Sequence, residues 1–422
     1  MTRRDRIRLL AMALVAVVLV LAVSCRSSKP QATTTPQGTG TGTALSATDV
    51  GVTATEIKIG QHAPKTGAYA GYYAITQGTR AYFDYVNAEL GGVNGRKIVF
   101  IDRDDQTNPS VARAVVQQMI EQDKVFAFDG NLGTPQHSAV ADYINEQKVP
   151  DMYVFTGAGK WNNPQKLPYT FGWTFDYPTE SHVLATYAKQ NFAGKKIAIL
   201  YQNDDFGKDY LNTFGDLVKG SMTVVGQQSY ETASSDIASQ MTALKNSGAE
   251  VLAIFAVPKF TVLAYKFMRD SGWHPQVILT SVSADPTVVA GAGADIMEGT
   301  ITAGYLPDIS DDTNAAVKFH KAMMAKYAQG VQASNFTLSG WANAMLMVET
   351  LKRAGPNLTR QGLLKTAESI RDFKAADFPP LGPVTMTAQD HSPLHCEKPM
   401  KVQGGKFVLF GELICAPVKG LQ

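Results

Sequence analysis

The 422-residue sequence is poor in cysteine, tryptophan and histidine, with three, four and seven of them. Three cysteines exclude a disulfide-built scaffold and a four-cysteine zinc site. Charge of one sign is missing as well. Lys+Arg total 39 and Asp+Glu 37, a formal charge of +2, which excludes a strongly basic nucleic-acid binder and an acidic disordered protein. Catalytic signatures are absent: there is no HExxH, no GxSxG, no Walker loop and no GxGxxG between a strand and a helix. The apolar run at residues 9–23 rises about 22 Å as a helix, short of a hydrocarbon core of about 30 Å. What remains is ordinary globular composition: 45% hydrophobic residues, 36 Gly and 20 Pro. The length allows two or three domains.

Arg3, Arg4, Arg6 and Arg8 precede that apolar run, and small residues end it at Ser24. A basic head, a short apolar stretch and small residues describe an export leader over 1–24. Arg3-Arg4 hints at twin-arginine export, but Arg6 falls where that motif prefers an apolar residue, so a Sec-type leader is expected. The stretch Leu21-Ala22-Val23-Ser24-Cys25 resembles a bacterial lipobox, whose cysteine becomes the lipidated first residue. The alternative is a coincidental cysteine behind an ordinary signal. Removing 1–24 takes away four arginines and one aspartate, so the formal charge falls from +2 to −1. Residues 25–52 read as the lipidated cysteine and a flexible tether, rich in Ser, Thr, Gly and Pro. Within it Gly38–Thr43 (GTGTGT) follows no strand and opens no helix, so it is no phosphate loop.

From Val52 onward strand-like and helix-like segments alternate. Strands are expected at Glu56–Gly60, Lys97–Ile101, Val125–Phe128 and Met152–Phe155, with helices at Tyr73–Leu90, Ser110–Gln122 and Gly133–Gln147. A second series follows: strands at Lys196–Tyr201, Thr223–Gly226, Val251–Phe255 and Gln276–Thr280, helices at Lys208–Lys219, Ser235–Asn246 and Phe260–Ser271. Late helices fall at Thr313–Gln329, Thr337–Ala354 and Thr359–Ile370, before an irregular, strand-like tail. Such alternation implies an α/β fold of two doubly wound parallel-sheet lobes. Open parallel sheets bind ligands beyond the carboxyl ends of their strands. That puts candidate ligand residues in loops 62–72, 130–137, 156–161, 202–207, 256–259 and 281–285.

Aromatic residues lie at or beside those strand ends: Tyr69, Tyr72, Tyr73, Trp161, Phe206 and Phe255. They suit an apolar pocket, or else a core. With Cys25 lipidated, Cys396 and Cys415 remain, and an even remainder in an exported protein suggests a bridge. It would close a loop of nineteen residues, about 3 kcal/mol in the chain-entropy model. Two separate thiols are the other reading. His391, His395 and Cys396 share one loop (DHSPLHC), but the disulfide is the better use of Cys396. No metal or cofactor is expected.

Several stretches together resemble the branched-chain amino-acid-binding group of periplasmic solute-binding proteins, which serve ABC importers. They are IKIGQHAPKTG (57–67), NAELGGVNGRKIVFIDRDD (87–105), PDMYVFTGAG (150–159), KKIAILYQNDDFGKDYL (195–211) and FPPLGPVTM (378–386). The resemblance covers residues 55–415 and implies a type I two-lobe fold with a three-crossing hinge. The first lobe would be 53–174 plus 306–378, the second 175–305 plus 379–415, with 416–422 a tail. It also implies a ligand set. Thr134 matches a hydroxyl for the ligand carboxylate. Gly157, Ala158 and Gly159 match a carboxylate- and ammonium-binding loop, with Gly159 where a threonine is expected. Tyr72 matches an aromatic lying over the ligand side chain, and Phe206 an elbow tyrosine without its hydroxyl. Ala256 stands where a second tyrosine is expected. The acid that pairs with an α-ammonium should fall near Ser281, where the sequence offers no carboxylate except Asp285 after a loop shift. An unpaired buried ammonium is costly.

The resemblance implies a non-enzymatic, monomeric solute-binding protein, lipid-anchored at the outer face of the bacterial cytoplasmic membrane. It would trap a small organic molecule and deliver it to an ABC permease and its ATPases, with no nucleic-acid partner. The departures point to an apolar or aromatic carboxylate or amide and away from a standard branched-chain amino acid. A sensor signalling to a membrane receptor is the rival, and an exported α/β enzyme a remote one.

Overall fold

The computed structural model describes residues 45–421, so the leader, Cys25 and most of the tether lie outside the described residues. The strands are β1 (Glu56–Ala63), β2 (Lys97–Asp104), β3 (Ala127–Asp129), β4 (Asp151–Val154), β5 (Thr170–Gly172), β6 (Lys196–Gln202), β7 (Thr223–Tyr230), β8 (Val251–Phe255), β9 (Gln276–Leu279), β10 (Ile301–Gly304), β11 (Cys396–Gln403), β12 (Lys406–Leu409) and β13 (Ile414–Cys415). The helices are α1 (Tyr73–Glu89), α2 (Pro109–Gln118), α3 (Thr134–Ser138), α4 (Ala141–Glu146), α5 (Tyr177–Asn191), α6 (Asp205–Val218), α7 (Ala238–Asn246), α8 (Pro258–Ser271), α9 (Pro286–Ala292), α10 (Ala294–Met297), α11 (Ala315–Tyr327), α12 (Asn335–Ala354) and α13 (Arg360–Glu368).

Two sheets result. The first has five strands in the order β2-β1-β3-β4-β5, all parallel. The second runs β12-β11-β10-β9-β8-β6-β7, with β13 paired to β11. Its β7-β6-β8-β9-β10 part is parallel, and β11 and β12 are antiparallel. In each sheet the chain order reverses at one strand, β1 or β6, and crossovers leave to both sides. That is the doubly wound pattern the alternation predicts, and it opens a crevice at the strands' carboxyl ends.

The strands form where apolar residues run unbroken. In β8 (VLAIF) every residue is buried, as expected for a strand covered on both faces. The helices start where polar caps stand. Asn108 caps α2 and Asp176 caps α5, and Ser334 with Thr337 forms a reciprocal capping box on α12. α12 lies along α1 over the first sheet, where Asn343 Nδ2 donates to the Tyr153 carbonyl of β4 at 2.8 Å. The helices approach closely because Gly78 and Gly340 face each other's backbone. A Cβ on Gly78 would run into the Thr337 carbonyl, and one on Gly340 into that of Ile75.

Two expectations change. Residues 46–52, read as the end of the tether, are packed on the first sheet's side. Val52 is buried, the Ser46 carbonyl accepts from Arg96 Nη2 at 2.9 Å, and Asp49 accepts from the Arg360 N–H at 2.8 Å. The arginines supply partners that a polar, glycine-rich composition does not reveal. Second, the sequence reading left 156–195 without a helix, whereas α5 occupies Tyr177–Asn191. Cys396 and Cys415 form a disulfide that fastens β13 to β11.

Candidate functional site

A cavity of about 120 Å³ lies where the strand ends of the two sheets face each other. Its wall carries eight aromatic side chains: Tyr69, Tyr72, Phe155, Phe175, Tyr177, Phe206, Tyr305 and Phe336. Ile75, Leu132, Val257, Val282, Leu306 and Met400 add aliphatic surface. No Asp, Glu, Lys, Arg or His lines it. Pockets of this kind hold apolar bodies and fix them with a few placed polar groups.

Of the residues singled out from sequence, Tyr72, Thr134, Phe206 and Ser281 line this cavity. Gly157, Ala158, Gly159 and Ala256 do not line it. A Cβ on Gly157 would meet the Phe175 carbonyl and the Tyr177 ring, so glycine there lets the segment leading into α5 pass close. Ala158 is buried. The Gly159 N–H donates to Asp209 Oδ2 at 3.0 Å. The Ala256 carbonyl accepts from the Thr261 and Ser283 hydroxyls, and its neighbour Val257 forms the wall. Among the other aromatics, Tyr69 lines the cavity. Tyr73 instead donates to Asp102, Trp161 is buried, and Phe255 stacks on Tyr210 at 4.5 Å in the core.

The polar groups of the cavity gather at two ends. At the first, the Thr134 and Thr156 hydroxyls lie 2.5 Å apart, and Trp161 Nε1 donates to Thr156 Oγ1 at 3.1 Å. The Tyr177 phenol joins them. Burial pushes it up to about 12, and bonds from the Gly157 backbone and both threonines oppose that rise. A buried polar network holds this end from behind. Asn131 Nδ2 donates to Asp151 Oδ1 at 2.9 Å, and Asn131 Oδ1 accepts from the His62 N–H at 2.9 Å. His62 Nδ1 lies 2.8 Å from Asp105, and His137 Nε2 lies 3.1 Å from Asp151. The network pins the loop from Gly130 to Thr134.

The second end corrects the sequence reading, which found no carboxylate near Ser281. Glu180, on α5, is buried and bonds Ser281 twice. Its Oε1 accepts from the Ser281 N–H at 2.8 Å, and its Oε2 accepts from the Ser281 hydroxyl. Burial raises the Glu180 carboxyl, while bonds from Ser281, Tyr210 and Thr280 oppose the rise. The acid was missed because α5 was missed, and the partners are 101 residues apart. Asp285, the sequence candidate for this role, is occupied elsewhere: its Oδ1 caps α9 at the Thr287 N–H, and its Oδ2 accepts from the Phe336 N–H at 2.9 Å. A second carboxylate, Glu397 on β11, is fully buried, and neither oxygen has a hydrogen-bond partner. Burial first, then Glu180, holds it well above its ordinary value.

Hydrogen bonds also cross the cavity mouth. Tyr72 donates to the Val282 carbonyl at 3.0 Å, Gln202 Nε2 donates to the Tyr69 hydroxyl at 2.5 Å, and Asn335 Nδ2 donates to the Ala284 carbonyl at 3.0 Å. On the outer rim Lys160 pairs with Asp205 at 2.5 Å. Among the described residues no helix is long and apolar enough to cross a membrane, and no group of three His, Cys, Asp or Glu side chains could hold a metal ion. In the DHSPLHC loop the His391 ring lies on Phe171 at 3.8 Å.

Comparison with known proteins agrees with this architecture. The family model described as periplasmic binding protein matches residues 56–406. A Leu/Ile/Val-binding protein homolog of Brucella melitensis is 25% identical over 303 residues, 71% of this chain and 80% of that protein. A branched-chain amino acid ABC transporter protein from Thermus thermophilus, solved with bound valine, superposes with a TM-score of 0.76. It is 19% identical over 86% of this chain and 97% of that one. A solute-binding protein of an ABC transporter from Rhodopseudomonas palustris, solved with 3,4-dihydroxybenzoic acid, gives 0.75 at 22% identity, over 86% and 98%. Fold, cleft and family model agree: the chain belongs to the periplasmic binding protein family, extracytoplasmic and non-enzymatic solute binders, and it has the type I fold and a sequence similar to the Leu/Ile/Val-binding relatives.

Proposed function

We propose that this protein captures a small, largely apolar or aromatic molecule bearing a carboxylate or amide, and not a standard branched-chain amino acid. The observation that carries this reading is the cavity wall: eight aromatic side chains and no charged one. An α-ammonium would find no carboxylate in the wall itself, since Glu180 is engaged by Ser281 behind it. The Thr134–Thr156 end would take the carboxylate or amide carbonyl. That one scaffold accepts both valine and 3,4-dihydroxybenzoic acid in the two solved proteins supports a ligand range wider than amino acids. The lobes, 53–174 plus 306–378 and 175–305 plus 379–415, close around the ligand. Cys25 carries the lipid that holds the protein at the outer face of the cytoplasmic membrane, and a permease with its ATPases receives the solute. The protein acts as a monomer.

Calorimetric titration of residues 26–422 with leucine, 3,4-dihydroxybenzoate and hexanamide tests the ligand class. Binding of the aromatic acid or the amide, with leucine silent, is expected. Tight leucine binding with silence from the other two overturns it. Thr134→Ala should weaken a carboxylate ligand by about 1–3 kcal/mol; unchanged affinity removes Thr134 from the site.

A further inference from the structure

Ser281 meets the cavity with a hydroxyl whose hydrogen is already committed. Its N–H and its O–H both point at Glu180, one to each carboxylate oxygen. An ionised carboxylate only accepts. Glu180 is the ionised member of a buried acidic pair for a geometric reason. Donors face it: Ser281 bonds it twice, and the Tyr210 hydroxyl, its oxygen already accepting from Thr280 at 2.8 Å, lies against it. Glu397 has no donor on either oxygen. Two carboxylates in one dry site cannot both ionise, and the proton stays on the one without donors. The groups facing the pair are Asp176, Tyr210 and Tyr305, none of them a cation. What Ser281 offers the cavity is therefore an oxygen lone pair.

We infer that Glu180 fixes Ser281 as a hydrogen-bond acceptor, so that the captured solute must present a donor, such as a hydroxyl or a primary amide, at that end of the cavity. The opposite end has the reverse polarity. Thr134, Thr156 and the Tyr177 phenol bring three hydroxyl hydrogens; the Thr134–Thr156 bond uses one, the contact of the phenol with the pair a second, and Thr156 also receives the Trp161 N–H, which leaves one hydroxyl hydrogen to donate to a carboxylate or carbonyl. The solute is thus an apolar body with an acceptor at one end and a donor at the other. This rests on the ligand class proposed above and sharpens it. Glu180 is a positioning residue in this account; it acts through Ser281.

Two matched pairs of probes test it: 4-hydroxybenzoate against 4-methoxybenzoate, and 6-hydroxyhexanoate against 6-methoxyhexanoate. Each pair differs by capping the donor. Dissociation constants are measured for the wild-type protein, Glu180→Gln and Ser281→Ala. The wild type should prefer the hydroxy member by about tenfold in whichever pair binds. In Glu180→Gln the amide can donate to Ser281 and release its hydrogen, so the preference should collapse or reverse. Ser281→Ala should erase it with Glu180 in place. A purely structural role for Glu180 would weaken both members alike and leave their ratio unmoved; that outcome overturns the inference. Tight binding of both members by the wild type without preference overturns it while sparing the proposed ligand class. Failure of all four probes to bind overturns both.

Discussion

The cavity mouth is fastened at two places, and the two are built on opposite principles. The inner fastening joins the 281–285 loop to Tyr72 and to the start of α12. Tyr72 donates to the Val282 carbonyl, Asn335 to the Ala284 carbonyl, and Phe336 to Asp285. Asp285 and Phe336 are buried. The outer fastening is Lys160 on Asp205, with side chains 40% and 53% exposed. A bond between buried groups is protected from competing water, and breaking it leaves a donor stranded. An exposed ion pair is screened, and water replaces either partner at little cost. The same task, holding the rim shut, is therefore done on the inside by directional bonds and on the outside by charge. Only the inside should resist salt.

The comparison can be broken at its strong side first. Asp285→Ala removes the cap of α9 and strands the Phe336 N–H. The sum of a lost cap and a lost charge-assisted bond is about 2–4 kcal/mol. Denaturant unfolding should show a lower midpoint, and small-angle scattering a larger radius of gyration. An unchanged midpoint would mean that the inner fastening contributes nothing.

The next largest effect sharpens the contrast between dry and wet. Burial and Glu180 hold Glu397 well above its ordinary value of 4.5, so the folded protein keeps a proton that the unfolded chain has released. The stability tied to that proton is complete below pH 4.5 and is lost as pH rises toward the folded value. Glu397→Gln keeps the shape and removes the titration. Its melting temperature should exceed that of the wild type at pH 8, and the gap should close toward pH 4.5. A gap that does not depend on pH would contradict a buried proton.

The smallest effect is expected outside. Lys160→Ala should change stability by no more than about 0.5 kcal/mol, and raising salt should shrink even that. If Lys160→Ala proves as damaging as Asp285→Ala, the contrast between the two fastenings fails.

The sequence made the α/β alternation legible because buried parallel strands are written as short apolar runs. KIAIL and VLAIF announce β6 and β8 without help from context. Half of the candidate cavity residues were legible for a different reason: Tyr72, Thr134, Phe206 and Ser281 sit on loops that must follow strand ends in such a fold. The other half shows where that logic stops. A loop at a strand end has two sides: Gly157 lies against the Phe175 carbonyl and the Tyr177 ring, and Ala256 spends its carbonyl on the Thr261 and Ser283 hydroxyls. Glu180 was out of reach because α5 has little amphipathic pattern: it is buried around much of its circumference, with Glu180 and Ser181 buried beside Val183 and Leu184. A polar residue in an unpatterned helix reads as surface until its partner, far along the chain, is seen. The attachment of residues 46–52 was hidden in the same way, since its partners Arg96 and Arg360 lie distant in sequence.

The glycine contact between α1 and α12 bears on how the chamber could change its guest. Tyr72 stands at the head of α1 and Phe336 at the head of α12, their rings 5.1 Å apart, and both face the solute space. The gap between those two walls is gauged a turn or more away, where Gly78 and Gly340 let one backbone rest on the other. A methyl group at either glycine would act as a shim, prising the walls apart while leaving every lining residue as it is. Selectivity for solute size is therefore tunable from positions that never meet the solute.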